Sequence, residues 1–110
     1  MEVDADTAQG DGLLATLSAL DNPHRLRIIA ALHTSGRNYV SQLARDVGLS
    51  RPLLHLHLNK LQEAGLVQSR LELSSDGKAL NFFELKPFEI VLTPASIADA
   101  ATSLTVKPSK

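Results

Sequence analysis

The hydrophobic period of the chain changes from helical to alternating near Gly65, and this change limits the fold more than any other feature. Before Gly65, the residues Leu54, Leu58 and Leu61 recur at helical spacing. After it, apolar residues alternate with polar ones as far as Leu73. The first pattern is typical of a helix with one buried face, and the second is typical of a strand. A helix that leads directly into a strand is therefore predicted.

Turn signals complete the pattern on both sides of this change. Downstream, Asp76-Gly77 is a strong turn signal, and Leu80 to Lys86 is predicted to be the returning strand. Upstream, Val40 to Val47 has one apolar face, and Gly48 ends that helix before a second one begins after the N-cap Ser50. Two helices followed by a hairpin outline a winged helix-turn-helix domain. The predicted class is α+β, mostly helical, with flanking N- and C-terminal helices.

Two helices are predicted ahead of the helix-turn-helix. The first follows the helical spacing of the leucines at positions 13, 14, 17 and 20. The second has two start signals: the Asn22 side chain can cap it, and Pro23 suits the first helical position. That helix is expected to run to about residue 33, with Leu26, Ile29 and Leu32 on one stripe.

The ends of the chain differ in character from its middle. Residues 1–12 are polar and acidic and are expected to form a disordered tail. The winged helix-turn-helix domain is assigned to residues 13–92, within which the apolar run Phe88 to Leu92 is open to a further strand. Residues 93–110 are assigned to a C-terminal helix, which begins at Thr93-Pro94, and to a frayed end.

The composition excludes several classes of function. The 110 residues include no cysteine, which removes thiolate metal ligands, disulfides and cysteine nucleophiles. His55 and His57 lie about 200° apart on a helix, so they do not share one ion, and no metal site is expected. Since no catalytic constellation or phosphate-binding glycine loop is visible, neither an enzyme nor a cofactor is expected. With no membrane span and no signal peptide, we expect a cytoplasmic protein.

The charge distribution permits nucleic-acid binding. The net charge is −1, but Glu2, Asp4, Asp6 and Asp11 are concentrated in the first eleven residues. Residues 20–90 carry nine Lys and Arg against seven Asp and Glu. The middle of the chain is therefore mildly basic, which allows double-stranded DNA as a partner.

The helix after Ser50 is predicted to have a buried and an outer face. At about 100° per residue, the leucines at 54, 58 and 61 cluster on one side and face the core. The opposite side offers a surface to a major groove, which is about 12 Å wide. This outer side contains Pro52, Leu56, Asn59, Lys60 and Glu63.

Motifs in residues 13–86 resemble the ArsR family of regulators. Pro23-His24-Arg25-Leu26-Arg27-Ile28-Ile29 resembles the second helix of that family, and Val40-Ser41-Gln42-Leu43-Ala44 resembles the start of its first helix-turn-helix helix. Gly48-Leu49-Ser50-Arg51-Pro52 through Glu63-Ala64-Gly65-Leu66-Val67 resembles its recognition helix, and Phe82-Phe83-Glu84-Leu85 its returning wing strand. The cysteine box of the family's metal sensors has no thiol here.

The resemblance implies a sequence-specific DNA-binding regulator, which we expect to be a dimeric repressor on an inverted-repeat operator. The DNA-binding candidates lie on the helix-turn-helix and the wing. They are Ser41, Gln42, Ser50, Arg51, Pro52, Leu53, His55, Leu56, Asn59, Lys60, Arg70 and Lys78. The homodimer interface is expected on the first and last helices. Its candidates are Leu13, Leu14, Leu17, Leu20, Ile97, Ala98, Ala101 and Leu104.

Two alternatives remain open from the residues alone. Leu53 and Leu56 also suit a winged helix that binds protein and has lost DNA binding. The second alternative is a sensor of a small molecule or a metal, whose DNA affinity is switched by an effector that is unknown. His57 is expected to be a half-buried structural histidine, since it lies nearer the core side than His55.

Overall fold

A computed structural model describes residues 9–105. Tertiary contacts define a central unit of residues 19–86 and a terminal unit formed by the described residues on either side of it. The chain has five helices and three strands in this range. In chain order they are α1 Gly10–Leu20, α2 Pro23–Ser35, β1 Asn38–Tyr39, α3 Val40–Val47, α4 Arg51–Glu63, β2 Val67–Leu73, β3 Ala79–Leu85 and α5 Pro94–Ala101. The α+β class with mostly helix is confirmed.

Helices α2, α3 and α4 begin where the sequence signals predict. The Asn22 side chain accepts hydrogen bonds from the backbone N–H groups of His24 (2.9 Å) and Arg25 (3.3 Å), which caps α2. Ser50 caps α4 by accepting from the N–H of Leu53 at 3.3 Å. Gly48 ends α3 with φ at +70°, a left-handed conformation that favours glycine. This turn sets α4 against α3.

The strands form one antiparallel sheet in the order β1-β3-β2. The hairpin pairs Val67 with Leu85 and Leu73 with Ala79. Gly77, with φ at +84°, completes the turn between β2 and β3. The two-residue strand β1 was not predicted. It pairs Asn38 with Phe83, and a strand this short has no alternation from which to recognise it.

The core of the central unit lies where its helices meet the sheet. Its buried apolar residues are Ile28, Leu32, Leu43, Ala44, Leu54, Leu58, Leu61, Leu66, Val67 and Phe83. The predicted burial of the leucines at 54, 58 and 61 is confirmed, since each is 0% exposed. Burial of this kind is the main favourable term in folding.

One predicted core position is wrong. Leu26 is 54% exposed, whereas Ile28 and Leu32 are buried. The inward face of α2 instead includes Arg25, whose Nε donates to His57 Nδ1 at 3.2 Å and whose Nη1 donates to the Ala19 carbonyl at 3.3 Å. These hydrogen bonds are tertiary and cannot be read from the local leucine spacing.

The segment after β3 also differs from expectation. Residues 86–93 form neither helix nor strand, so the apolar run Phe88 to Leu92 is not a further strand. The Lys86 N–H still donates to the Leu66 carbonyl at 2.9 Å. The next residue is Pro87, which has no N–H and ends the ladder. Val91 and Leu92 are exposed.

In the terminal unit, the start of α1 contacts the residues that follow α5. The Gly10 N–H donates to Ser103 Oγ at 2.8 Å, and Asp11 accepts from the Thr105 N–H at 3.0 Å. A Cβ on Gly10 would overlap the Ala100 carbonyl oxygen and lie 2.6 Å from Leu104 Cδ2. Only glycine fits this close approach. Residues 10–12, assigned to the tail, are therefore helical, and residues 1–8 lie outside the described range.

Candidate nucleic-acid interface

Helix α4 presents one face to solvent along its length. The predicted division of its faces is confirmed, because the buried leucines occupy one side and the exposed residues the other. The exposed candidates are Ser50, Arg51, Pro52, Leu53, His55, Leu56, Asn59 and Lys60. A helix held in this way by its apolar side can lay the other side along a major groove.

Helix α3 carries the next two candidates at its first turn, where Ser41 and Gln42 are half-buried. Tyr39, the N-cap residue, makes no side-chain hydrogen bond to the helix. Gln42 Nε2 donates to Asp46 Oδ1 at 2.8 Å, and its Oε1 accepts from Arg45 Nη2 at 2.7 Å. This network fixes the Gln42 amide and brings the exposed Arg45 beside it. Sequence analysis missed Arg45, although its spacing of three residues from Gln42 was a usable signal.

A shallow cavity joins α3, the start of α4 and β3. Its volume is about 200 Å³. It is lined by Tyr39, Val40, Ser41, Arg51, Ala79, Leu80 and Asn81. The fold thereby brings Ser41 and Arg51, two candidates from different helices, to one surface. Tyr39 and Asn81 had no signal in the sequence, because they reach this surface only through the pairing of β1 with β3.

The wing holds its two basic candidates in different electrostatic settings. Arg70 lies in the middle of β2, and its Nη2 is 3.2 Å from Glu84 Oε2. Lys78 lies in the turn at the tip of the hairpin, directly before Ala79. Among residues 9–105, no carboxylate lies within ion-pair distance of it. Because an exposed ion pair contributes little free energy, Arg70 can exchange Glu84 for a phosphate, although its charge is partly neutralised until then.

Arg37, a basic residue directly before β1, was not among the predicted candidates. Its guanidinium forms an ion pair with Glu72 and lies 4.5 Å from the centroid of the Phe82 ring. The hydrogen bond to Glu72 raises the pKa of Arg37, and the same bond lowers the pKa of Glu72. These contacts tie the residue before β1 to both strands of the hairpin.

His55 and His57 point to different sides of α4, as predicted. His55 is exposed, with its ring 6.5 Å from the Phe83 ring. His57 is 6% exposed, which confirms it as a structural residue. Its Nδ1 accepts the hydrogen bond from Arg25, and its ring lies 5.3 Å from that of His24. Burial, and then the charges of Arg25 and His24, lower the pKa of His57.

This setting predicts that stability falls with acid. A protonated His57 would lose the acceptor for Arg25 and place a second buried cation beside it. The unfolded chain takes up this proton near a pKa of about 6.5, whereas the native state resists it, so stability decreases as pH falls below that value. Urea unfolding from pH 7.5 to 5.5 tests this decrease, and His57→Gln should reduce it. The exposed His33 provides a control, since His33→Gln should leave the decrease unchanged.

The predicted dimer residues have mixed exposure. They lie on α1 and α5, except Leu104, which was expected on the last helix but follows its end at Ala101. Leu14, Ile97 and Leu104 are 49%, 50% and 40% exposed. Ala98 and Ala101 are also exposed, and the leucines at 13, 17 and 20 are half-buried. Ala100, also on α5, is buried. The terminal unit therefore has apolar side chains available for a second chain.

Residues 9–105 contain neither a metal-binding cluster nor a membrane-spanning helix. No group of three or more His, Asp or Glu side chains is placed to hold a metal ion within this range. None of the helices in the same range is long and apolar enough to cross a bilayer.

Comparisons with known proteins address the same region. The family model described as "bacterial regulatory protein, arsR family" matches residues 22–69. An HTH-type transcriptional regulator of Methanocaldococcus jannaschii, itself uncharacterised, is 36% identical over 74 residues, covering 67% of this chain and 76% of the relative. The chain belongs to the ArsR family. Transcription regulators of this family form a non-enzymatic class and use a DNA-binding winged helix-turn-helix domain.

Solved structures agree with the ArsR-family fold. The homodimeric winged helix-turn-helix DNA-binding domain of a Mycobacterium bovis protein matches with 25% identity and a TM-score of 0.62, covering 76% of this chain and 72% of that one. The transcriptional regulator HlyU of Vibrio vulnificus matches with 26% identity and a TM-score of 0.56, covering 84% and 83%. The predicted winged helix-turn-helix is confirmed.

The ArsR-family match contains most of the candidate interface. Residues 22–69 include all the candidates on α3 and α4, whereas Arg70, Lys78 and the dimer candidates lie outside it. This ArsR-family chain has no cysteine. The assignment of individual residues to DNA or to the dimer stays a prediction.

Proposed function

We propose that two copies of this ArsR-family chain bind an inverted-repeat operator in double-stranded DNA and repress transcription by excluding polymerase. The observation that carries the proposal is the exposed face of α4, which is anchored on its other side by leucines that are 0% exposed. A helix fixed in this way can hold the same side chains against the same base pairs at every binding event.

The candidates divide between base edges and phosphates. Arg51, His55 and Asn59 carry hydrogen-bonding groups on the exposed face of α4, and such groups can read base edges. Ser41, Gln42, Ser50, Pro52, Lys60, Arg70 and Lys78 surround this face on α3, α4 and the wing. We assign to them contacts with the DNA backbone, which position the protein and supply affinity.

Dimerisation through α1 and α5 would place two α4 helices on successive half-sites. The Mycobacterium bovis neighbour is a homodimer, and the exposed apolar residues on α1 and α5 fit the same assembly here. An inverted repeat then reflects the two-fold symmetry of the protein. The proposed site of action is the cytoplasm, where a bacterial or archaeal chromosome lies.

One observation favours a second candidate function. Leu53 and Leu56 are 38% and 53% exposed on the face offered to DNA, and exposed leucines also suit contact with another protein. Such a module would retain the winged fold without binding DNA.

Salt dependence separates these two functions. Selection from a random-sequence DNA pool, followed by affinity measurements at several salt concentrations, tests the main proposal. For a DNA-binding dimer, the logarithm of the association constant should fall linearly with the logarithm of the salt concentration. The slope should be about −0.9 for each phosphate contact. The proposal would be contradicted if no bound duplex were recovered, or if the affinity did not change with salt concentration. Either result would favour the protein-binding module.

Arg51 and Lys78 should respond differently to substitution. Arg51→Ala should weaken binding to the selected duplex by about 1–3 kcal/mol and relax its base preference, because Arg51 starts the recognition helix. Lys78→Ala should weaken all sequences alike and reduce the salt slope by about 1. Fluorescence anisotropy on the selected duplex and on base-substituted versions measures both effects. Equal and uniform losses from the two variants would remove Arg51 as a reader of bases.

A further inference from the structure

Two leucines of α4, Leu53 and Leu56, are exposed to solvent instead of being buried in the core. Leu53 is 38% exposed and Leu56 is 53% exposed, whereas Leu54 and Leu58 on the same helix are 0% exposed. Leu56 therefore contributes little to the core of the central unit, and Leu53 is only partly covered. Exposed apolar side chains on a candidate binding face indicate a partner that offers apolar groups to them.

Leu56 occupies the middle of the outer face. At about 100° per residue it lies about 160° around the helix from both Leu54 and Leu58. Its neighbours on the helix surface are the residues three and four positions away. These are Pro52, Leu53, Asn59 and Lys60, all of them exposed. The immediate surroundings of Leu56 thus combine apolar surface with one amide and one cation, while the carboxylate of Glu63 lies further along the same side of the helix.

The chemistry of this face matches one kind of base pair. In the major groove every base edge offers hydrogen-bonding groups, and thymine alone adds an apolar C5 methyl group. The Asn59 amide suits adenine, because Asn pairs with adenine N6 and N7. Lys60 lies next to Leu56 and suits a phosphate. Apolar and amide groups side by side therefore favour A·T pairs over G·C pairs.

We propose that Leu53, Leu56 and Asn59 read A·T base pairs in the operator, with the two leucines packed against thymine C5 methyl groups. The inference rests on the proposed DNA-binding function and specifies which base pairs that function recognises. It predicts that duplexes selected by the wild-type protein are rich in A·T pairs within each half-site.

Replacing thymine by uracil isolates the methyl group. A duplex selected from a random-sequence pool is remade with deoxyuridine at each thymine of one half-site in turn, which keeps base pairing and removes only the C5 methyl. Dissociation constants come from fluorescence anisotropy at one salt concentration. At one or more positions, uracil should weaken wild-type binding about three- to fivefold, the equivalent of losing one buried methyl.

The variants form a double-mutant cycle with the DNA. Leu56→Ala should bind the thymine duplex more weakly and show no further loss with uracil at the position it reads. Lys60→Ala should lose affinity and keep full sensitivity to uracil, which makes it the matched control on the same face. Since Leu56 is exposed, Leu56→Ala should retain the wild-type melting temperature.

Two results would overturn the inference while leaving the proposed function intact. One is a selected duplex whose affinity for the wild type is unchanged by uracil at every thymine. The other is a Leu56→Ala protein that keeps the full uracil sensitivity of the wild type. If no duplex is selected at all, the proposed function fails together with the inference. The selection step shows this failure before uracil is introduced, so the two failures are distinguishable.

Discussion

A Leu58→Ala variant should have a free energy of unfolding about 2–5 kcal/mol below that of the wild type. Leu58 lies in the middle of α4 and is 0% exposed, with Leu54 and Leu61 equally buried on the same side. The substitution removes the packing of the shortened side chain and leaves a cavity that the neighbouring helices fill only in part. Urea unfolding monitored by circular dichroism measures the loss.

The control uses the same chemical change at an exposed site. Leu26→Ala, on α2, removes a side chain that is 54% exposed, and its effect should stay within about 0.5 kcal/mol. Since small domains are stable by only about 5–15 kcal/mol, Leu58→Ala should also lose DNA binding at a lower temperature than the wild type. Equal stability of Leu58→Ala and Leu26→Ala would contradict the packing described for α4.

An Ile97→Asp variant should be monomeric and should bind an inverted-repeat duplex about 100-fold or more weakly than the wild type. Ile97 is 50% exposed on α5, where the proposed dimer would bury it. An aspartate there places a carboxylate in an apolar interface without a partner, which is costly. A monomer loses the gain from two linked half-site contacts, which is about 10²–10⁴ in affinity.

Sedimentation velocity gives the oligomeric state, and anisotropy gives the affinity. Val91→Asp is the matched control, because Val91 is also aliphatic and 61% exposed but lies outside the proposed interface. It should remain dimeric with wild-type affinity. A dimeric Ile97→Asp protein would move the interface away from α5, whereas an unfolded one would be recognised by its circular dichroism spectrum.

Apart from β1, the elements of the central unit were predictable because their signals are local. Asn22 and Ser50 cap the helices they precede, and Gly48 adopts the left-handed conformation that ends α3. The predicted bounds of α3, Val40 to Val47, match the structure. Each of these signals acts within about one helical turn, so an isolated sequence contains it in full.

The candidate site was predictable only in part. The outer face of α4 followed from helical spacing, but Arg70 and Arg37 are joined to Glu84 and Glu72, which lie far from them along the chain. The Arg45–Gln42–Asp46 network is local, and its spacing of three and four residues was a signal that the prediction did not use. Which charges remain available to DNA therefore depends on the folded partners.

By itself, the sequence determined the order of the helices and of the hairpin strands, the caps, and the face of α4 that Leu54, Leu58 and Leu61 bury, because these depend on residues a few positions apart. The tertiary structure alone decided that Arg25 rather than Leu26 turns inward, that Asn38 pairs with Phe83, and that Ser41 and Arg51 share one surface. Such contacts join residues distant in the chain. Their free energy is gained only when the whole core assembles, so no local pattern encodes them.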